Sequence, residues 1–220
     1  MSFRSLVYKT LNKVCSTDIT YVLWRSGAVP QDSTGCTACD CRWLSAADLA
    51  DLRTDTELQI SDSFLDDFER GNFPGVVAYL DGHAAGLLFL APGQVAARHN
   101  TAGGVFSGIA LELPQGVYFL FKVIVKESFR GQGINAAMLD FAVSHPAQRP
   151  IQAIITTTDW TNSSFLKSVE SVGFKRCAMA SEIIIAGKRF YRLPRPFDPH
   201  SGKVMSPGAA EDGVSFFIEN

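Results

Sequence analysis

A glycine-rich stretch at residues 129–139, FRGQGINAAML, has the residue types in this chain best suited to binding a ligand. Gly131 and Gly133 allow positive φ and a close approach of the backbone to a ligand. The apolar spacing that follows predicts a helix, and the N–H groups at the start of a helix attract anions. The stretch therefore predicts a phosphate-binding loop, for which three designs can be compared.

Two of these designs fit the neighbouring residues poorly. A nucleoside-triphosphate loop needs Lys and then Ser or Thr after its second glycine, where this chain has Ile134 and Asn135. The dinucleotide pattern G-x-G-x-x-G/A is matched by Gly131, Gly133 and Ala136. In that fold, however, the first glycine turns directly off a strand, whereas here KESFR intervenes and a hairpin precedes the motif.

Three cysteines in the stretch GCTACDC lie close enough in sequence to suggest a metal site. Zinc needs a fourth ligand, and the four histidines are scattered far downstream of Cys36, Cys39 and Cys41. Read with period two, Cys39, Cys41 and Trp43 share one face of a strand. Free cysteine behaves as a small buried hydrophobe, so a position in the core face of a strand is favoured over a metal site, and no metal is expected.

Composition and charge narrow the class of protein. The chain has 220 residues, a formal net charge of −2 and a hydrophobic content of 46%. This charge gives no reason to expect nucleic acid as a partner. No apolar run reaches the roughly 18 residues of a spanning helix, and the basic opening lacks the apolar core of a secretory signal. A soluble, cytoplasmic protein is expected.

The hydrophobic periods and turn residues predict the elements that position the loop. Residues 91–116 read as a long loop with one apolar piece, SGIALEL, and the tail from Asp198 shows little pattern. In chain order, the predicted elements are a helix at 3–14, strands at 18–25 and 39–44, helices at 46–55 and 62–71, strands at 75–80, 84–90 and 117–125, a helix from Gly133 to His145, a strand at 151–158, a helix capped by Asn162, and a hairpin at 179–193.

The order of strand KVIV, loop KESFRGQGI, helix, strand and NSSFLKSVESVGF resembles the GNAT superfamily of acyl-CoA-dependent N-acyltransferases. The likeness covers about residues 40–192 and is densest in 117–176. The family's phosphate loop, Q/R-x-x-G-x-G/A, aligns with Arg130 and Gly133, while Asn135 replaces its small last residue. Its second signature, an Asn eleven residues before Gly-Phe, falls on Asn162, Gly173 and Phe174.

The resemblance implies a binding site for acetyl-CoA as co-substrate. Its pyrophosphate is expected on the N–H groups of residues 130–136, and its pantetheine on the backbone of the central strand, with Asn162 on the far side. The residues expected to bind it are Val123, Ile124, Val125, Arg130, Gly131, Gln132, Gly133, Ile134, Asn135, Ala136 and Asn162.

The resemblance also implies the fold and the domain organisation. The expected fold class is α/β (α+β), a GNAT-like mixed, mostly antiparallel sheet with a splayed central strand pair and helices on both faces. Residues 1–39 are expected to pack on the domain as a helix, strand and linker. Residues 40–197 would form the GNAT-like acyltransferase domain, and residues 198–220 a C-terminal tail.

The catalytic side chains are left unassigned. Many relatives carry a glutamate base on the substrate-facing side of the central strand, where this chain has Phe119 and Phe121, and a tyrosine acid where it has Val169. The aromatic residues near the strand are expected to be core. Carboxylates that could replace the base, each expected to be solvated, are Glu112, Asp159, Asp66 and Glu69.

Two functions of different class remain open. The first is an N-acyltransferase that moves acetyl from acetyl-CoA to the primary amine of a small molecule, an amino sugar or an amino acid. The second is a CoA-binding protein without catalysis, suggested by the two missing side chains. A homodimer is left open, and the amphipathic stripe of residues 3–14 is expected to dock on the protein's own surface in preference to a membrane.

Overall fold

The computed structural model describes residues 16–27, 39–58, 60, 68, 70, 73–97, 109–145, 150–205 and 213–218. The helices predicted at 3–14 and 62–71 lie outside these residues, apart from single positions of the second. No helix within the described ranges is long and apolar enough to cross a membrane.

Strands dominate the described part of the chain, with three α-helices between them. The strands are β1 (Ser16–Ser26), β2 (Asp40–Trp43), β3 (Gly75–Leu80), β4 (His83–Pro92), β5 (Gln94–Val95), β6 (Ile109–Glu112), β7 (Val117–Val125), β8 (Ala153–Asp159), β9 (Lys175–Ile185), β10 (Lys188–Arg192) and β11 (Ser215–Ile218). The helices are α1 (Ala46–Thr54), α2 (Ile134–Ser144) and α3 (Ser163–Ser171).

The chain divides into two compact units. The first is drawn from residues 1–25, 93–115 and 155–220, and the second from residues 26–92 and 116–154. The predicted boundaries at 39/40 and 197/198 stay predictions.

The second unit is built on four antiparallel strands in the order β2, β3, β4, β7. Asp81 and Gly82 turn the β3–β4 hairpin with φ of 51° and 79°, the two positive values that a tight two-residue hairpin requires. The sequence Asp-Gly therefore suits this turn.

The helices of the second unit lie on opposite faces of its strands. Leu49 and Leu52 of α1 are buried in one core cluster with Leu87. The next residue of β4, Gly86, points the other way, because a Cβ on it would lie 3.2 Å from the side chains of Ile134 and Met138 in α2. Glycine at this position lets α2 approach the sheet closely.

The start of α1 is held by one buried carboxylate. Asp48 is 4% exposed, and its carboxylate accepts hydrogen bonds from Ser45 N at 2.8 Å, Ser45 Oγ at 2.6 Å, Tyr79 OH at 2.9 Å and Arg42 Nη2 at 2.6 Å. Burial alone would raise the pKa of Asp48, yet these hydrogen bonds outweigh it and lower the pKa to about 2. Ser45, the N-cap residue of α1, is thus part of a network that joins α1 to β2 and β3.

The first unit contains four strands in the order β10, β9, β1, β8, in which β9 pairs antiparallel with both β1 and β10. Its second sheet has the order β11, β6, β5. Two of these short strands lie within residues 91–116, read from sequence as a loop, and β11 lies in the tail where no element was predicted. Strands β6 and β11 are about a hundred residues apart and β5 is only two residues long, so local pattern could not reveal this sheet.

Like charges face each other inside the first unit. Asp18 of β1 is directly opposite Glu182 of β9, which is 4% exposed and pairs with Arg189 at 3.3 Å. Burial, together with the charges of Asp159 and Glu182, raises the pKa of Asp18 to about 6. The ionised form of Asp18 therefore destabilises the folded state.

Replacing Asp18 with asparagine is expected to stabilise the protein at pH 8. A carboxyl group whose folded pKa exceeds its unfolded value costs stability above the folded pKa, and the cost disappears as the pH falls from about 6 to below 4. Allowing for solvent screening, we expect a gain of about 1 kcal/mol at pH 8 and almost none at pH 4, measured by urea unfolding. An equal gain at both pH values would contradict this. Asp40→Asn, at an exposed position, is the control.

The predicted fold class is confirmed as a mixed α/β fold whose strand pairs are mostly antiparallel. Helices on both faces are observed for the second unit. The splayed central strand pair stays a prediction.

Candidate functional site

The glycine-rich loop joins the end of β7 to the start of α2 in the second unit. A short 3₁₀ turn, Glu127–Phe129, follows the strand, and Gly131 and Gly133 then adopt φ of 79° and 77°. Gly133 is the N-cap residue of α2, and its carbonyl accepts the helical hydrogen bond from Ala137 N at 3.0 Å. Both positions need the left-handed conformation, which explains why glycine occupies them.

The start of α2 suits an anion. N–H groups of the first helical turn have no acceptor one turn earlier, and the helix dipole places partial positive charge there. A Cβ added to Gly131 would meet nothing within 4 Å, so the described residues other than its chain neighbours leave space open beside it. Ile134 and Ala136 are buried and anchor the helix, whereas Gln132 is exposed and Asn135 is half-buried.

Arg130 supplies the full positive charge of the loop. It is exposed, and its Nε donates to the carbonyl of Val125 at 3.2 Å. That bond holds the guanidinium beside the loop and uses one of its five N–H donors. Arginine in this position can form paired hydrogen bonds to phosphate.

The base of the loop is tied to α1. Lys126 forms an ion pair with Asp55, the C-cap residue of α1, and both side chains are largely buried. The backbone N–H of Lys126 also donates to the carbonyl of Ala85 at 3.0 Å. These contacts fix where β7 ends and where the loop begins.

The segment predicted to hold pantetheine, Val123 to Val125, is half-buried at the end of β7. Its residues pair with Leu88, Leu87 and Gly86 of β4. The structure thus places ten of the eleven predicted binding residues together on β7, the loop and the first turn of α2. Their contact with CoA stays a prediction.

Asn162, the eleventh residue, belongs to the first unit. It is the N-cap of α3, and its Oδ1 accepts a hydrogen bond from Phe165 N at 3.1 Å. Gly173 ends the helix region with φ of 89°, and Phe174 is 3% exposed. The second signature therefore has structural roles in this unit as a cap, a stop and a core residue, besides any role toward a ligand.

The carboxylates considered as substitutes for the base lie in different surroundings. Glu112 is exposed on β6, as expected for a solvated side chain. Asp159 is partly buried and accepts hydrogen bonds from Thr161 N at 2.6 Å and from the Thr161 hydroxyl. Asp66 and Glu69 lie outside the described residues. Phe119 and Val169 are 1% and 0% exposed, whereas Phe121 is half-buried.

The cysteine-rich stretch shows the predicted alternation. Cys39, Cys41 and Trp43 are partly buried, and Asp40 and Arg42 are exposed. The sulfurs of Cys39 and Cys41 lie 3.7 Å apart, well beyond the length of a disulfide bond. Among the described residues, no group of three or more His, Cys, Asp or Glu side chains is arranged to hold a metal ion.

One ionisable residue beside the site was not singled out from the sequence. Lys122 of β7 is half-buried, and burial lowers its pKa. Its orientation depends on an irregularity in the β4–β7 pairing, which strand periodicity alone does not reveal.

Comparison with known proteins gives one family. The model of the acetyltransferase (GNAT) family matches residues 41–174, more than half of the chain. Among curated protein sequences, none matches the chain.

Solved structures give low-identity matches. A GNAT-family protein from Novosphingobium aromaticivorans is 13% identical with a TM-score of 0.49, over 75% of this chain and 62% of that one. A GCN5-related N-acetyltransferase from Kribbella flavida is 13% identical with a TM-score of 0.49, over 84% and 65%. An aminoglycoside N-acetyltransferase in complex with CoA is 22% identical with a TM-score of 0.41, over 62% and 92%. The chain thus spans less than two thirds of the first two structures.

Proposed function

The chain belongs to the GNAT acetyltransferase family, and from this we propose that it transfers acetyl from acetyl-CoA to the primary amine of a small molecule, an amino sugar or an amino acid. One observation carries the proposal. Arg130 and two left-handed glycines precede the N-terminus of α2, after β7 and the short 3₁₀ turn that follows it. Such a loop suits the pyrophosphate of CoA.

Different residues of the second unit would bind different parts of acetyl-CoA. Acetyl-CoA supplies the acetyl group as a thioester. Arg130 and the first turn of α2 bind the pyrophosphate, and the backbone from Val123 to Val125 orients the pantetheine. Donors aimed at the carbonyl oxygen of the thioester stabilise the charge that develops there, and the N–H groups of this strand segment would act in that way.

The departing thiolate needs a proton, and no side chain at position 169 can give one. Val169 has no ionisable group and is 0% exposed. We therefore assign this proton to solvent.

A second function, CoA binding without acyl transfer, is favoured by the residues at the positions of the base and the acid. Many relatives carry a base where this chain has Phe119 and Phe121, and an acid where it has Val169. Phe119 and Val169 are buried and Phe121 is half-buried, and all three are apolar. A protein that binds CoA without transferring its acyl group would have no need of either side chain.

Free-thiol release from acetyl-CoA, measured across a panel of amino sugars and amino acids, tests the proposal. Calorimetric titration with CoA runs alongside. Thiol release that depends on an amine supports the acetyltransferase, whereas CoA binding without thiol release across the panel supports the second function. Absence of CoA binding by the folded protein would overturn both.

A further inference from the structure

The thiols of Cys39 and Cys41 lie next to each other where β2 begins. Their Sγ atoms are 3.7 Å apart, close enough for the S–H of one thiol to donate a hydrogen bond to the other sulfur. Neither residue is in a disulfide in this structure, and both are partly exposed. The strand period explains the arrangement, because residues i and i+2 project from the same face. A small molecule that reacts with one thiol therefore has the second thiol in contact with the first.

The backbone distance between the two positions is compatible with a disulfide bond. Two residues of extended strand span about 6.4–6.8 Å. A disulfide usually joins Cα atoms that lie about 4.4–6.8 Å apart. A bond between Cys39 and Cys41 is therefore within reach without a change of fold, but at the stretched end of this range. Disulfides under strain are easily reduced again, so such a bond is reversible.

The sheet holds the backbone of the two cysteines to different degrees. Cys41 pairs with Ala78 in the antiparallel ladder between β2 and β3. The next residue, Arg42, is anchored to the carboxylate of Asp48 by a hydrogen bond of 2.6 Å. Cys39 lies before the first paired residue of this ladder. The ladder therefore constrains Cys39 less than Cys41, and closing a bond between them moves mainly Cys39.

Cys177, the third cysteine in the described ranges, has different surroundings. Its thiol donates a hydrogen bond to the carbonyl of Val22 at 3.4 Å. Burial raises the pKa of this thiol to about 12, so it stays protonated at neutral pH. The thiolate is the form that attacks a disulfide, so Cys177 is expected to be inert at neutral pH. It is therefore an internal control for a reactive pair elsewhere in the chain.

We propose that Cys39 and Cys41 form a dithiol redox site whose substrates are small-molecule disulfides. The thiolate of one cysteine attacks a disulfide R–S–S–R, forms a mixed disulfide with it and releases R–S⁻. The second cysteine gives its proton to water and attacks the protein sulfur of the mixed disulfide. The bond to R breaks, the bond between Cys39 and Cys41 forms, and a second R–S⁻ leaves. Two electrons have then passed from the protein dithiol to the small disulfide, which becomes two thiols.

This chemistry requires neither CoA nor an acceptor amine, so it is independent of the proposed acetyl transfer. The competing sulfurs are those of Cys15 and Cys36, which lie outside the described residues. Cys36 is three positions from Cys39 in the sequence. An experiment must therefore identify which two sulfurs are joined, besides counting the thiols that disappear.

The test treats the reduced full chain with oxidised glutathione, alkylates the remaining thiols after denaturation and maps the bonds by mass spectrometry of peptides. We expect Cys39 and Cys41 to be joined to each other, and Cys177 to be recovered as the alkylated thiol. In Cys39→Ser and Cys41→Ser, the remaining thiol of the pair should keep glutathione at least about 100-fold longer than in the native protein, because the neighbouring thiol that displaces it is missing. Cys36→Ser is the matched control and should form the same bond as the native protein.

Three results would overturn the inference. The first is glutathione that stays on both Cys39 and Cys41 of the native protein, and the second is a bond from either of them to Cys36 or to another molecule. The third is recovery of both thiols unreacted while glutathione is in excess. The map of the native protein decides between these results even if a serine variant fails to fold. A protein that acetylates no amine would leave the dithiol site intact, since no step of its reaction uses CoA.

Discussion

Replacing Gly133 with aspartate is expected to weaken CoA binding at least about 100-fold, or about 2.7 kcal/mol. Gly133 is the N-cap of α2 with φ of 77°, and a carboxylate there would face the phosphate charge that the loop is proposed to bind. Aspartate is among the side chains that best tolerate a left-handed backbone, so the fold should survive. Calorimetric titration with CoA measures the loss.

Two controls separate charge from backbone strain. Gly133→Asn has nearly the same shape without the charge and should lose much less affinity. Gly187→Asp makes the same change at φ of 78° in the β9–β10 turn, where a Cβ would meet nothing within 4 Å, and should bind CoA normally. Native affinity in a folded Gly133→Asp variant would contradict the assignment of this loop.

The second large effect is expected for Asp48→Ala, which should lower the free energy of unfolding by about 3 kcal/mol. Four hydrogen bonds end on this one carboxylate, and those to a charged group contribute about 1.5–3 kcal/mol each before the remaining groups find water. The Tm of a chain of this size should fall by about 10 °C. Chemical and thermal unfolding at pH 7 measure both quantities.

Asp40→Ala, on the exposed face of β2, is the matched control and should change stability by less than 0.5 kcal/mol as an order-of-magnitude expectation. The contribution of Asp48 should also vanish in acid. Because its folded pKa is lowered to about 2, the stability it provides is present above pH 4 and is lost as the pH falls toward 2. A variant as stable as the native protein at pH 7 would show that the network is not needed.

Turns and helix caps, which depend on a few neighbouring residues, could be predicted from the sequence. Asp81 with Gly82 and Ala186 with Gly187 have the positive φ values of their turns, and Asn162 caps its helix as expected. The pairing of strands that are distant in sequence could not be predicted. Strand β6 is four residues long, and its partner β11 lies about a hundred residues further on, so no pattern within either segment reveals the pair.

The candidate site was predictable to the same degree. Gly131 and Gly133 indicated the loop because its backbone needs positive φ at both positions, and glycine is the residue that adopts positive φ without strain. The face taken by Lys122 depends on a bulge at Phe121, which arises from the register between β4 and β7. A register belongs to two strands at once, so the single strand VYFLFKVIV could not indicate it.

The pairing of β11 with β6 bears on how this protein can be shortened. Phe216 lies opposite Leu111, which is 0% exposed, and its ring is tilted against that of the buried Phe197, with 6.2 Å between the centroids. Ending the chain at residue 197, the limit suggested by sequence, would remove one of the two partners of β6, leaving only β5, and would leave an apolar strand edge open. Open edges of that kind recruit strands from other molecules. Aggregation of such a truncated form would thus reflect a missing strand, while saying nothing about the chemistry of the loop.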